Sequence, residues 1–305
     1  MERRKLGTSD LDISVVGYGA WEAGGAMWGD HYSDDASKDA MLAAIDAGMN
    51  WIDTAEAYGD GRSEELVGEV IEQRRGHVMI FTKVAPFATG TRPEQVKQAA
   101  HASLKRLGVD RIDLYQIHWP DEENVPVEDT WGAMAELQDE GLVRAIGVSN
   151  FDRALVERCT AIRHVDSVQN QFSMLHRDDA AELLPWLRER GIGYLAYGSL
   201  AFGLLTGHIT AETTFDDDDW RSGKKWQLGY YEDLFAPGRI EASVARVERL
   251  RPIAERAGLS LPQLALRTAI DTPGVTAVIA GSRSPAHVRD NAGVGGVGLD
   301  PAILE

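Results

Sequence analysis

Short β-rich runs alternate with longer segments of helical period along almost the whole chain, which is the pattern of repeated βα units laid on a parallel sheet. The candidate strands fall at 15–18, 49–52, 78–82, 112–117, 143–148, 166–168, 192–196 and 276–279. Eight is the number that closes a barrel, and 305 residues suffice for one such core. The expectation is therefore an α/β (β/α)8 TIM barrel, one domain over residues 1–305.

The helices between the strands carry their own punctuation. Thr91 and Glu94 have the spacing of a capping box, after which Val96, Ala99, Leu104 and Leu107 share one face as far as Gly108. Val127, Trp131, Met134 and Leu137 lead to Gly141 in the same way, and Ser284-Pro285 reads as the cap and first turn of the last helix. Residues 2–14 break the rhythm as a short hairpin across Gly7-Thr8-Ser9-Asp10, placed as a plug over the barrel's N-terminal end. Residues 207–238, after strand 7, have no clear period but hold Trp220, Trp226, Tyr230, Tyr231 and Phe235, and are read as a lid or pocket wall. The acidic run Asp216 to Asp219 inside that stretch reads as a solvated face.

A formal net charge of −17 repels phosphate, which argues against nucleic-acid or anionic-membrane partners. Cys159 is the sole cysteine, so no internal disulfide can form; it is read as a small helix residue. The charged opening MERRKLGTSD does not suit a signal peptide, and no long apolar run follows. A cytoplasmic location is expected.

Polar residues stand directly after one predicted strand after another: Asp53, Lys83, His118, Ser149-Asn150, Gln169 and Tyr197. In a parallel barrel these points converge on the C-terminal face, where barrel enzymes build their sites. Tyr58 lies five residues past Asp53 in the same loop. A free phenol, with a pKa of about 10, donates protons sluggishly near neutrality. An ammonium such as Lys83 would lower that pKa, with Asp53 holding the lysine charged and His118 steering a substrate oxygen toward the phenol. The set suits an oxygen that gains negative charge as hydride reaches its carbon.

At these residues the chain resembles the aldo-keto reductase family, whose Asp, Tyr, Lys, His tetrad matches Asp53, Tyr58, Lys83 and His118. The resemblance runs from Lys5-Leu6-Gly7 to Asn291 and includes Asp53-Thr54-Ala55, Tyr58-Gly59, Ile117-His118-Trp119-Pro120 and Gly147-Val148-Ser149-Asn150-Phe151. It implies reduction of a carbonyl compound by NADPH, with NADH possible. It places Ala20 and Trp21 beside the cofactor, Ser149, Asn150 and Gln169 on the nicotinamide carboxamide, and Tyr197 under the ring. Gly198, Leu200 and Gly203 belong to the family's pyrophosphate loop, in which Ser199 replaces a usual proline. Gly281, Ser282, Arg283, His287, Asp290 and Asn291 match the adenosine end, where Gly281 and His287 stand in place of the family's basic and Arg or Gln residues. Arg283 remains to pair with a 2′-phosphate.

Trp21, Trp28 and Trp119 suggest an apolar substrate cleft with a polar floor. Gly293, Gly295 and Gly298 spell a dinucleotide fingerprint, but without the strand and helix it requires. No metal-ligand set is present. A small carbonyl substrate is the expected partner, with a monomer preferred. Two other readings stay open: a Schiff base on Lys83, which a protonating Asp53 disfavours, and a regulatory subunit similar to the potassium-channel β-subunits that share this fold.

Overall fold

The structure, a computed structural model, describes all residues except 30, 31, 75, 77, 227 and 301–305. Two short strands, β1 (Arg3–Lys5) and β2 (Asp12–Ser14), form an antiparallel hairpin. The eight that follow are β3 (Val16–Gly19), β4 (Trp51–Asp53), β5 (Met79–Val84), β6 (Ile112–Ile117), β7 (Val143–Ser149), β8 (Ser167–Gln171), β9 (Gly193–Tyr197) and β10 (Ala277–Ala280). They pair in parallel and in chain order, and β10 closes the ring between β9 and β3. The expected barrel and hairpin are both found.

Around the barrel run α1 (Asp34–Asp46), α2 (Arg62–Gln73), α3 (Pro93–Leu107), α4 (Val127–Asp139), α5 (Arg153–Thr160) and α6 (Leu183–Glu189). They continue as α7 (Gly229–Leu234), α8 (Arg239–Glu248), α9 (Arg251–Ala257), α10 (Leu261–Asp271) and α11 (Pro285–Gly293). Among the described residues no helix is long and apolar enough to cross a membrane. Cys159 is buried in α5.

Alternation along the strands decides what the barrel holds inside. Trp51, Phe81, Leu114, Ala145, Leu195 and Ala277 share an apolar cluster with Leu6, Leu11 and Ile13 of the hairpin, which plugs the floor. Two residues further along each strand, on the same face, come Asp53, Lys83, Gln116, Gly147, Tyr197 and Ile279. A mainly polar layer thus sits directly above the apolar floor. Gly17 makes the floor possible, because a Cβ there would lie 2.1 Å from the Trp51 ring. The hairpin is fastened below by Asn50, which accepts from Ser14 N at 2.7 Å and donates to Asp12 O at 2.9 Å.

Two local expectations are corrected. α3 begins one residue later than the Thr91/Glu94 box requires, because Pro93 takes the first helical position; Gln95 then accepts from the Arg92 amide at 3.2 Å. Thr91 instead donates to Asp121 at 3.0 Å. The acidic run is a solvated face only in part: Asp216 and Asp217 are exposed as expected, but Asp219 is buried, and three of the four pair with cations that fold back on them. Asp217 meets Lys224 at 2.5 Å, Asp218 meets Lys225 at 2.6 Å, and buried Asp219 meets Arg221 at 2.6 Å.

Residues 207–238 form a 3₁₀ turn at Trp220–Ser222 and the short α7. Trp220, Leu234 and Phe235 pack with Trp28 and Phe202 into a second apolar cluster, joined at its edge by Trp21 and Tyr230. This segment is a wall of the barrel mouth.

Candidate active site

Asp53 ends β4, Lys83 lies in β5, His118 follows β6, and Tyr58 sits on the loop from β4 to α2. The loop is held by close backbone approach: a Cβ on Gly59 would meet Gly24 O at 2.1 Å, so only glycine fits there. Lys83 is fully buried and its Nζ donates to Asp53 Oδ1 at 2.5 Å and to Thr54 O at 2.8 Å. The same nitrogen lies 3.5 Å from Tyr58 Oη and 5.1 Å from the centre of its ring. The His118 ring stands edge-on to Tyr58 at 5.5 Å. All four side chains expected to meet do so.

Their electrostatics correct the expectation in one respect. Tyr58 is pushed well above the ordinary phenol range, first by burial and then by the nearby Asp53 charge, so the phenol rests protonated despite the ammonium 3.5 Å away. Burial likewise draws Lys83 below the usual ammonium range, with Asp53 opposing that pull. His118 is driven well below its usual value by burial and by the Lys83 charge, which keeps the imidazole neutral. Its Nδ1 is buried with no hydrogen-bond partner among the described residues.

The residues expected around the carboxamide form one connected network with Asp53. Gln169 Nε2 donates to Asp53 Oδ2 at 2.8 Å, and Ser149 Oγ donates to Gln169 O at 2.8 Å. Asn150, at a φ of 63°, donates from Nδ2 to His118 O at 2.9 Å and accepts from Tyr197 Oη at 2.6 Å. That leaves Tyr230 Oη, 2.6 Å from Tyr197 Oη, as the donor in their contact. In the loop that follows, Gly198, Ala201, Phe202 and Gly203 all have positive φ. Ser199 is buried, its hydroxyl 3.1 Å from both Phe172 O and Ala196 O.

The adenosine-end residues are less gathered. Gly281 abuts Gly19, Ser282 O accepts from Tyr18 Oη at 2.9 Å, and the His287 ring faces His208 at 6.3 Å. Arg283 lies 3.5 Å from Glu22 and donates to Trp28 O at 3.2 Å. Burial raises the Glu22 carboxyl against the pull of that arginine. Asp290 accepts from Ser260 Oγ at 3.0 Å and from Gln263 Nε2 at 2.8 Å, while Asn291 is buried in the same helix.

Of the three tryptophans, Trp21 and Trp28 meet edge-to-face at 4.9 Å, and Trp21 also lies over Tyr58 at 6.2 Å, near the end of β3 where Ala20 N donates to Asp53 O. Trp119 stands apart on the rim, 39% exposed. Sequence reasoning missed Arg221, whose guanidinium lies over Trp28 and donates to Phe202 O at 3.2 Å. It also gave no role to Glu56, a buried carboxylate two residues before Tyr58, whose signal was a charge inside the Asp53-to-Gly59 motif. Among the described residues no group of three His, Cys, Asp or Glu is placed to hold a metal ion.

A closed parallel barrel with a buried carboxylate, ammonium, phenol and neutral imidazole at its C-terminal mouth has the architecture of a barrel enzyme and the side chains of a proton-transfer site. The chain belongs to the Aldo/keto reductase family, whose model matches residues 15–302, and is an oxidoreductase of that family. It is 37% identical over 299 residues to aldo-keto reductase YhdN of Bacillus subtilis (strain 168), covering 95% of this chain and 87% of that protein. It is 31% identical over 322 residues to the NADH-specific methylglyoxal reductase of Escherichia coli (strain K12), covering 99% and 96%. The aldo/keto reductase of Klebsiella pneumoniae, solved in complex with NADP and acetate, superposes with a TM-score of 0.77 at 26% identity, covering 100% of this chain and 93% of that one.

Proposed function

We propose that this oxidoreductase reduces an aldehyde or ketone to an alcohol, with NADPH as the preferred reductant and NADH also accepted. The observation that carries the reading is the buried Lys83 nitrogen set between Asp53 at 2.5 Å and the Tyr58 oxygen at 3.5 Å. The reduced nicotinamide, when bound, supplies hydride to the carbonyl carbon. Tyr58 passes its Oη proton to the carbonyl oxygen. Because burial keeps that phenol protonated, it enters the reaction as an acid. Lys83 then faces the phenolate charge as it forms, so the ammonium acts on the transition state instead of on the resting enzyme. Asp53 holds the lysine charged and aimed, and neutral His118 orients the carbonyl oxygen.

The chain's own residues suit that cofactor. Ser149, Asn150 and Gln169 present hydroxyl and amide groups beside Asp53, in the mix of donors and acceptors that a carboxamide needs. Tyr197 would support the ring. The left-handed run Ala201, Phe202 and Gly203 turns its backbone as anion-binding loops do, and would hold the pyrophosphate. Ala20, Trp21, Gly281, Ser282, His287 and Asn291 complete the cofactor set, while Asp290, occupied by α10, is given no part. Arg283 supplies the guanidinium for a 2′-phosphate, exchanging Glu22 for it. The Klebsiella protein's NADP supports that preference, and the NADH-specific E. coli relative supports the breadth. We read residues 1–305 as one domain, acting as a monomer in the cytoplasm on a small carbonyl compound, with no nucleic-acid or membrane partner.

The test is Tyr58→Phe, followed by loss of NADPH absorbance with a panel of aldehydes and ketones. Turnover should drop about 10²- to 10⁴-fold, while fluorescence titration finds NADPH bound as in the wild type. A variant as fast as the wild type would refute the role given to Tyr58.

A further inference from the structure

Behind the strand that carries Lys83 lies a further layer of polar groups to which proton transfer gives no part. Glu64, in the first turn of α2, is fully buried against the outer side of β5. Its Oε1 accepts from Thr82 Oγ1 at 2.5 Å, and its Oε2 accepts from Nε and Nη2 of Arg106 in α3, both at 2.6 Å. Gly61, at a φ of 91°, clears the way for that arginine, since a Cβ there would meet Arg106 Cδ at 2.6 Å. A carboxylate serving only to staple α2 to α3 would need the arginine alone, but this one also grips the barrel wall.

The contacts run on into a closed circuit. Thr82 is the chain neighbour of Lys83, with its side chain on the opposite face of β5. Lys83 Nζ donates to Thr54 O at 2.8 Å, Thr54 Oγ1 lies 2.8 Å from Ser63 Oγ, and Ser63 is the chain neighbour of Glu64. Ser63 N also bonds Tyr58 O at 3.2 Å, which ties the same turn to the phenol's loop. Thr54, Ser63, Glu64, Thr82 and Lys83 are all fully buried, so a charge placed here acts through a low-dielectric medium. Burial lowers Lys83, and the Glu64 charge joins that of Asp53 in opposing it.

Resting on the carbonyl-reductase reading above, we propose that Glu64 is a positioning residue: from the outer side of β5 it holds Lys83 in place, through Thr82 and Ser63, and in its cationic form, through its charge. The groups facing Lys83 are Asp53 of β4, Tyr58, neutral His118 and Glu64 itself; those facing Glu64 are Arg106 of α3 and the buried Tyr115 of β6. Glu64 and Arg106 carry opposite charges, so removing one or the other acts on Lys83 with opposite sign. For charges about 10 Å apart at an effective dielectric of about 20, the displacement is about one pH unit.

The experiment incorporates lysine labelled with carbon-13 at Cε, assigns the Lys83 signal by its loss in Lys83→Met, and reads its titration midpoint by NMR in the wild type, Glu64→Gln and Arg106→Gln. Glu64→Gln should move the midpoint down by about half a unit or more, and Arg106→Gln should move it up by less, because that guanidinium is partly exposed. Both variants break the same pair, so a purely structural role would lower Tm in both while moving the two midpoints alike or not at all; either pattern overturns the proposal. If Glu64→Gln does not fold, the Arg106→Gln midpoint decides by itself, upward in support and unmoved or downward against. The alkaline limb of kcat/KM for aldehyde reduction by NADPH should follow the NMR midpoints, and a limb that ignores both substitutions would overturn the part given to Glu64 in turnover. A wild type that reduces no aldehyde would count against the reductase reading, while the NMR titration still decides what Glu64 does to Lys83.

Discussion

Replacing Lys83 by methionine isolates the electrostatic demand of the barrel mouth. The two side chains are similar in length, so little cavity is created. What disappears is a fully buried ammonium that donates to Asp53 at 2.5 Å and to Thr54 O at 2.8 Å. Asp53 would keep its bond from Gln169 but lose the counterion 2.5 Å away. Breaking a buried pair from one side costs about 3–5 kcal/mol, because the remaining charge is stranded in a low-dielectric site. Against a typical total stability of about 5–15 kcal/mol, that is a large fraction. The double variant Asp53→Asn/Lys83→Met removes both charges and should recover most of the loss, to within about 1–2 kcal/mol of the wild type. Urea titration followed by far-ultraviolet circular dichroism measures each value from midpoint and slope. A single-variant loss below about 1 kcal/mol, or a double variant no more stable than the single, would refute the idea that Asp53 depends on Lys83 for its charge.

Other consequences can be measured without knowing the substrate. Burial raises Tyr18, Tyr58, Tyr115, Tyr194 and Tyr197, so the folded state keeps protons that the unfolded chain releases above about pH 10. Stability should therefore fall as pH rises past that point, by up to about 1.4 kcal/mol per pH unit for each such group. Lys83 works the other way between its lowered value and about 10.4. Absorbance at 295 nm should show these phenols ionising only together with unfolding; free titration of all of them near pH 10 would contradict their burial. At the acid end, His118 is held neutral while its unfolded counterpart takes up a proton below about pH 6.5, so stability falls as pH drops through that value. His118→Gln should flatten this limb in urea titrations, and an unchanged slope would point to other groups. Gly17→Ala sets a methyl against the Trp51 ring and should cost about 3 kcal/mol, lowering Tm by about 5–10 °C. Trp51→Phe in the same chain should restore part of it; a single variant as stable as the wild type would mean that the floor is loosely packed.

The barrel was legible because strand alternation and strand ends are local properties. Trp51 before Asp53, Phe81 before Lys83 and Leu195 before Tyr197 each write an inward apolar residue two places ahead of an inward polar one. Parallel closure then brings the polar ends together without any further information. Depth was not legible, and depth decides the sign of the Tyr58 shift, since burial of the phenol is the largest cause of its rise. Contacts made by chain reversal were equally hidden: Lys224 and Lys225 return to neutralise Asp217 and Asp218, and Glu56 reaches the turn at 85–89. The misplaced cap of α3 was a matter of one residue, because Pro93 fixes where the helix can begin.

The hairpin beneath the barrel also determines how the molecule can be handled. Arg4 is bonded to the carbonyls of Ile270 and Val275, and Glu2 N to Gly295 O, so the first residues are sewn to the pole remote from Tyr58. A chip or resin coupled through these first residues would grip the molecule by its base and turn the face that bears Tyr58 outward, free to meet whatever is flowed across it.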